Sequence, residues 1–303
     1  MNARCLLSAL IVVFALSILT PTNATAQPQT VIYNSIPAPL PGHVASIDTV
    51  GLAGFGDGLN LVAVNSKSTL GEVKVILDSW ACQSGNWGGN CVSKPGATFS
   101  VPITISIYGV TYGNGDVPTA TLSPLATITK TFAIPYRPSS TPQLCPSNTA
   151  EWYDAKDRSC YNGLAVPIDI DFSKDRISIP ANNRIVVMVS YNATFYGPNP
   201  IGTGTACYAT TAGCPYDSLN VSADGNGPTG LANGVGAFLD WNGVFMDFTT
   251  NAATVANSCN GSGPGNVSSN VSVYGSPVLN TLADSLCWSG YHPQIEVFAN
   301  VGR

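Results

Sequence analysis

The 303-residue chain is 45% hydrophobic and only 10% charged, with 17 Asp and Glu against 12 Lys and Arg and a net charge of −5. So few charges exclude a charge-rich disordered tail and a charge-laced coiled coil. The acidic balance, with no stretch that concentrates Lys and Arg, opposes nonspecific binding to nucleic acid or anionic lipid.

Met1 to Ala26 reads as a secretory signal peptide. Arg4 supplies its positive start, Leu6 to Leu19 its apolar core, and Ala24-Thr25-Ala26 a small-residue cleavage site. The apolar run is shorter than the ~20 residues that cross a bilayer, so no membrane span is expected once the signal is removed. The expected product is a secreted, extracellular chain starting at Gln27, with 11 Lys and Arg against the same 17 acids.

Eight Cys remain beyond the signal: Cys82, Cys91, Cys145, Cys160, Cys207, Cys214, Cys259 and Cys287. An even number in an exported chain reads as four disulfides. Close spacing favours sequential pairing, Cys82 with Cys91, Cys145 with Cys160, Cys207 with Cys214 and Cys259 with Cys287, with other connectivities open. Only His43 and His292 accompany them and there is no CxxC, so a zinc cluster is not expected.

Strand signals run along the whole chain. Val73, Val75 and Leu77 alternate with polar or differently facing neighbours, and Trp80 continues the register of Lys74, Ile76 and Asp78. Val101, Ile103, Ile105 and Ile107 alternate with Pro102, Thr104, Ser106 and Tyr108. Val166, Ile168, Ile170 and Phe172 alternate with Pro167, Asp169 and Asp171. A period of two places one set inward and the other in water. Ile185 to Val189 reads as a fully buried strand, and Ile295, Val297 and Ala299 as a late half-buried one.

Turn clusters such as Tyr112-Gly-Asn-Gly-Asp116, Gly197-Pro-Asn-Pro200 and Asp224-Gly-Asn-Gly-Pro228 separate these runs. Many short strands with polar turns predict an all-β fold, an antiparallel β-sandwich of jelly-roll type with disulfide-stapled loops. Residues 27–303 are expected to form one elaborated domain, with Asn257 to Ser276 as an exposed loop. Asn192, Asn220, Asn260, Asn266 and Asn270 begin glycosylation triplets, which matter only in a host that glycosylates.

Phe55-Gly56-Asp57, Ser79-Trp80-Ala81-Cys82, Pro102 to Tyr108, Leu125 to Thr129, Phe132 to Pro138 and Cys214 to Leu219 together resemble a group of uncharacterised exported bacterial β-sandwich proteins. Some of these carry C-terminal sorting or anchor segments. The resemblance implies export and a β-sandwich, and the front part also looks like jelly-roll modules of surface and glycan-binding proteins. Ile295 to Arg303 departs from the anchored members by ending strand-like, without an apolar tail or sorting motif.

Four tryptophans lie in or beside the disulfide-bounded segments: Trp80, Trp87, Trp152 and Trp288. A flat indole held on a rigid loop is what a sugar ring stacks against, with Asn and Asp nearby to bond its hydroxyls. Trp87, among Gly85, Asn86, Gly88 and Gly89, is expected to be the most exposed. Each indole could equally pack onto sulfur and cover an end of the sandwich.

Catalytic candidates are weak. Asp169 and Asp171 share a strand face about 6.6 Å apart, inside the ~5 to 10 Å that glycosidase carboxylates span, but they also suit the wet side of a half-buried strand. His292, near Ser289, is the better-placed histidine for a triad, yet no G-x-S-x-G is present. No cofactor is expected. If a metal were found it would be a structural calcium at Asp224-Gly-Asn-Gly, Asp240-Trp-Asn-Gly or Asn114-Gly-Asp116, although these read first as plain turns. The leading expectation is a binding protein acting at or outside the cell surface, on an extracellular glycan or another cell-surface component. An extracellular glycoside or ester hydrolase and a structural coat or matrix component are the alternatives.

Overall fold

The computed structural model describes residues 28–47, 52–85, 87–112, 118–191, 219–224, 234–239, 243–247, 278–279 and 291–302. The expected signal peptide, Cys207, Cys214, Cys259, Cys287, Trp288, the loop from Asn257 to Ser276, and the calcium candidates Asn114, Asp116 and Asp240 lie outside them, as do four of the glycosylation triplets.

The regular structure of the described residues is all strand. In chain order it comprises β1 (Gln29–Asn34), β2 (Ser46–Ile47), β3 (Leu52–Asn60), β4 (Thr69–Ser79), β5 (Thr98–Tyr112) and β6 (Pro118–Pro135). Then come β7 (Trp152–Asp154), β8 (Ser159–Tyr161), β9 (Ala165–Asp171), β10 (Arg184–Tyr191) and β11 (Leu219–Asp224). Short β12 (Ala237–Phe238), β13 (Val244–Asp247), β14 (Val278–Leu279) and β15 (His292–Pro293) precede β16 (Ile295–Asn300).

Two seven-stranded antiparallel sheets form the sandwich. One runs β1-β16-β4-β11-β15, with β9 also on β4 and β2 on β11; the other runs β14-β13-β3-β10-β5-β6, with β12 on β3. The hairpin β7-β8 stands apart from both. Branched residues at every second position explain the layering, because they fill the pleat on one face only. Val73, Val75 and Leu77 of β4, Ile168 and Ile170 of β9, and Ile295 and Val297 of β16 meet Ile103, Ile105 and Ile107 of β5 and Ile185, Val187 and Val189 of β10 in one core.

The alternation of β9 is strict: Val166, Ile168 and Ile170 are buried while Pro167, Asp169 and Asp171 are exposed. Ile185 to Val189 is buried on both faces, as expected of a central strand flanked by β3 and β5. Its outer face packs Val186 and Met188 against Tyr108, Val110 and Val244. The outer face of β4 is covered too, because Ile76 packs under Ile36 and Val44. That cover also encloses Asp78, which is fully buried.

Cys82–Cys91 and Cys145–Cys160 are disulfides, with Cα separations of 5.4 and 5.9 Å. Both pairs join as their spacing predicts. Disulfides of this kind place the chain in an oxidising environment.

Candidate functional site

β4 ends at Ser79, which exchanges backbone hydrogen bonds with Leu164. The chain then forms a loop closed by Cys82–Cys91 and by a two-way backbone bridge between Ser84 and Val92. Gly85 turns this loop at φ +75°, and a side chain there would overlap the backbone of Asn90. Trp87 stands at the tip, 48% exposed. Its ring meets Trp80 edge-on, with centroids 5.1 Å apart and planes at 82°.

The loop is anchored from below by Arg137, which has no exposed surface. Its guanidinium donates to the carbonyls of Trp87 (3.3 Å), Asn162 (2.7 Å), Ala150 (2.5 Å) and Pro138 (3.3 Å), and to Ser140 Oγ (3.1 Å). Burial lowers its pKa to about 10, while the charge of Glu151 acts in the opposite sense. One cation thus ties together both disulfide-bounded segments and the turn after β8. A planar five-donor group suits this role because carbonyls from several directions can share it.

The second segment, closed by Cys145–Cys160, carries Trp152. This indole is buried, donates to the carbonyl of Gly163 (2.8 Å), and has its ring 5.7 Å from that of Tyr161. Trp152 therefore supports the site from inside and presents no face to a ligand. Tyr161 in turn donates its hydroxyl to Asp157 Oδ2 at 2.6 Å. That bond is the main reason the Asp157 carboxyl is held below its ordinary value; burial first, then the same bond, raise the Tyr161 phenol.

Between the two segments lies Asp78. Its Oδ2 accepts the indole N–H of Trp80 and the hydroxyl of Ser46 (2.9 Å), and its Oδ1 is 3.1 Å from His43 Nδ1. Ser46 also accepts a bond from Asn220 Nδ2 at 3.4 Å. The His43 side chain is 24% exposed and lies between aromatic rings, 5.8 Å from Trp80 and 5.7 Å from Tyr161. Gly163 lies directly against Asp78 and Trp80. A methyl group on it would stand 2.6 Å from Trp80 Nε1 and overlap the Asp78 carboxylate.

Three of the four tryptophans singled out in the sequence thus converge on one end of the sandwich, in three degrees of exposure. Trp87 is exposed, Trp80 half-buried and Trp152 buried. Trp288 lies outside the described residues. Sequence reading missed His43, Asp78 and Arg137 as members of the site. The only local signals were the Asp78-Ser-Trp80 run at a strand end and an arginine set between Tyr136 and Pro138.

The other candidates sit elsewhere. Asp169 and Asp171 point outward from β9 beside Lys74 and Glu72 of β4, with Lys74 Nζ 3.9 Å from Asp169 and 3.1 Å from Glu296. Asp171 lines an open groove of about 800 Å³ with Glu72, Lys67, Arg176 and Asn300. Burial, then the charge of Asp169, raises the Glu72 carboxyl, whereas hydrogen bonds from Ser173 lower that of Asp171.

His292 is fully buried. Its Nδ1 is 3.0 Å from Asp57 Oδ2 and its ring is stacked on Phe238 at 3.6 Å. It is a core histidine, not one facing an open pocket. Asn220 lies within β11 opposite Asp78, unlike the surface loops where glycosylation acceptors stand. Cys145, Glu151 and Cys160 form the one metal-like cluster among the described residues, but the two sulfurs are bonded to each other and offer no thiolate.

No family description, curated protein or solved structure matches this chain.

Proposed function

We propose that this is a secreted protein that binds an extracellular or cell-surface glycan through the aromatic end of its sandwich. One observation carries the reading: Trp87 is held half in water by a disulfide, an arginine anchor and a perpendicular indole. An indole that gained nothing from exposure would be expected to sink into the core, since its burial is strongly favourable. Held outward on a rigid loop, it presents its apolar face to a sugar ring at little ordering cost. Gln83 and Asn90, exposed on the same loop as Trp87, offer amides for sugar hydroxyls. The secretory start and the oxidised cysteines fit the compartment where such ligands occur.

Affinity electrophoresis of the processed protein through gels containing polysaccharides tests this. Retardation by at least one polysaccharide, lost in Trp87→Ala, is the expected result. No retardation by any of a broad panel, or equal retardation of parent and variant, overturns it.

One observation favours a second reading, an extracellular glycoside hydrolase working in the groove on β4 and β9. Glu72 and Asp171 face each other across the two strands, and their surroundings push the carboxyl pKa values apart, the relation that separates an acid from its partner. Turnover of a glycoside that disappears in Glu72→Gln and Asp171→Asn, but not in Trp87→Ala, would select it.

A further inference from the structure

The carboxylate of Asp78 determines which hydrogen His43 carries. An indole N–H can only donate, so Asp78 Oδ2 accepts from Trp80; Ser46 accepts from Asn220 and is left to donate its own proton to the same oxygen. A carboxylate offers lone pairs only and has no proton to give. His43 Nδ1, 3.1 Å from Oδ1, must then be the N–H side of the imidazole. In the neutral ring the lone pair is therefore on Nε2, and among the described residues no group bonds it.

That acceptor is placed where a ligand would pass. Trp87, Trp80 and His43 follow one another in edge contact, at 5.1 and 5.8 Å, with Tyr161 on the far side of the imidazole. A single sugar ring stacked on Trp87 would not extend beyond Trp80, whereas a chain of two or more could. We propose that His43 Nε2 accepts a hydrogen bond from a hydroxyl of the second or a later unit of a neutral oligosaccharide whose first unit stacks on Trp87. Asp78 is then a positioning residue, since it acts only by fixing the tautomer and tilt of the imidazole. This inference rests on the glycan-binding reading and adds to it the ligand's minimum length and its polar anchor.

The test measures binding of mono- to hexasaccharides built from glucose, mannose, xylose and N-acetylglucosamine, by quenching of tryptophan fluorescence. Parent, Trp87→Ala, His43→Phe and His43→Gln are compared after thermal unfolding has shown each to be folded. Expected results are binding that requires at least two units, a loss of about tenfold in His43→Phe as for one hydrogen bond to a desolvated acceptor, and partial recovery in His43→Gln, whose amide oxygen can accept. Imidazole nitrogen NMR of the free protein is expected to show hydrogen on Nδ1 and a lone pair on Nε2.

Full affinity in His43→Phe together with its loss in Trp87→Ala overturns this inference and leaves the glycan-binding reading intact. Hydrogen on Nε2 and not on Nδ1 overturns it as well. A parent that binds none of the saccharides, or a Trp87→Ala variant that binds like the parent, overturns both.

Discussion

Arg137 donates a hydrogen bond from Nη1 to the carbonyl of Trp87, fifty positions earlier in the chain, at 3.3 Å. The most exposed indole of the described residues is thereby held by the largest fully buried side chain. The relationship makes the shape of the surface loop a property of the interior, and it separates two kinds of damage that mutation can do.

Replacing Arg137 should affect stability and loop order together. Arg137→Met fills a similar volume but leaves the carbonyls of Trp87 and Asn162 without this donor, while that of Ala150 keeps the Ser140 hydroxyl; a buried acceptor left unsatisfied costs about 1–3 kcal/mol. A total loss of about 3 kcal/mol or more is expected in denaturant unfolding. Arg137→Lys should recover little of it, since one ammonium cannot reach carbonyls on opposite sides of a planar fork. Trp87→Ala should cost less, about 0.5–1.5 kcal/mol, the worth of its edge contact with Trp80.

Gly163 gives a second prediction. Its Cα approaches the Asp78 carboxylate and Trp80 Nε1 so closely that even a methyl group must displace them. Gly163→Ala should cost about 1–3 kcal/mol, the range for overpacking a filled site. It should also shift the indole N–H resonance of Trp80, because the bond to Asp78 must lengthen. An unchanged Trp80 resonance in a folded variant would show that the turn after β8 yields instead.

These two residues mark the boundary of what the sequence discloses. Strands β5, β9 and β16 are legible because apolar residues recur every second position, β10 because its apolar run is unbroken, and two disulfides because close pairs join most readily in an oxidising compartment. The convergence of Trp80, Trp87 and Trp152 is legible in outline through their nearness to Cys82, Cys91, Cys145 and Cys160. The burial of Asp78 is not. Its register suggests a wet face, and what covers that face is the irregular segment around Ile36 and Val44, which has no period to read. Arg137 is hidden for the same reason, since a cation in a Pro-flanked loop looks solvated until the carbonyls around it are in place. In sequence His292 looks the better placed of the two histidines, and the fold reverses that order. Only the fold distinguishes a histidine with one edge at the surface from one sealed under Phe238.

The disulfide at Cys82 and Cys91 should serve the loop more than the fold. Closing a nine-residue separation restrains the unfolded chain by about 2.5 kcal/mol in the loop-entropy treatment, and both sulfurs sit at the edge of the core. The double variant Cys82→Ala, Cys91→Ala should still fold, with β4 and β9 intact by amide hydrogen exchange. Protection at Ser84 and Val92, whose backbone bridge lies within the closed loop, should fall sharply. If that protection is kept, the bridge and Arg137 hold the loop without the sulfurs.

The facing carboxyls Glu72 and Asp171 predict opposite dependences on pH. Glu72 is raised above its ordinary 4.5, chiefly by burial and next by Asp169, with Lys74 acting against both. Between 4.5 and its folded value the native state keeps a proton that the unfolded chain has released, so stability falls as pH rises through that window. Asp171 is lowered below 3.8 by its bonds from Ser173. Its contribution is complete above 3.8 and is lost as pH falls through the folded value. Glu72→Gln should therefore raise the unfolding midpoint at pH 7, by under about 1 kcal/mol for a partly exposed charge, and the gain should vanish below pH 4.5. Asp171→Asn should lower the midpoint at pH 7, with the deficit closing only under more acid conditions. Thermal unfolding of the three proteins from pH 3 to pH 7 measures both. A gain for Glu72→Gln that persisted at pH 3 would show that the amide makes a new contact, and that the carboxylate's charge is not what costs the parent its stability.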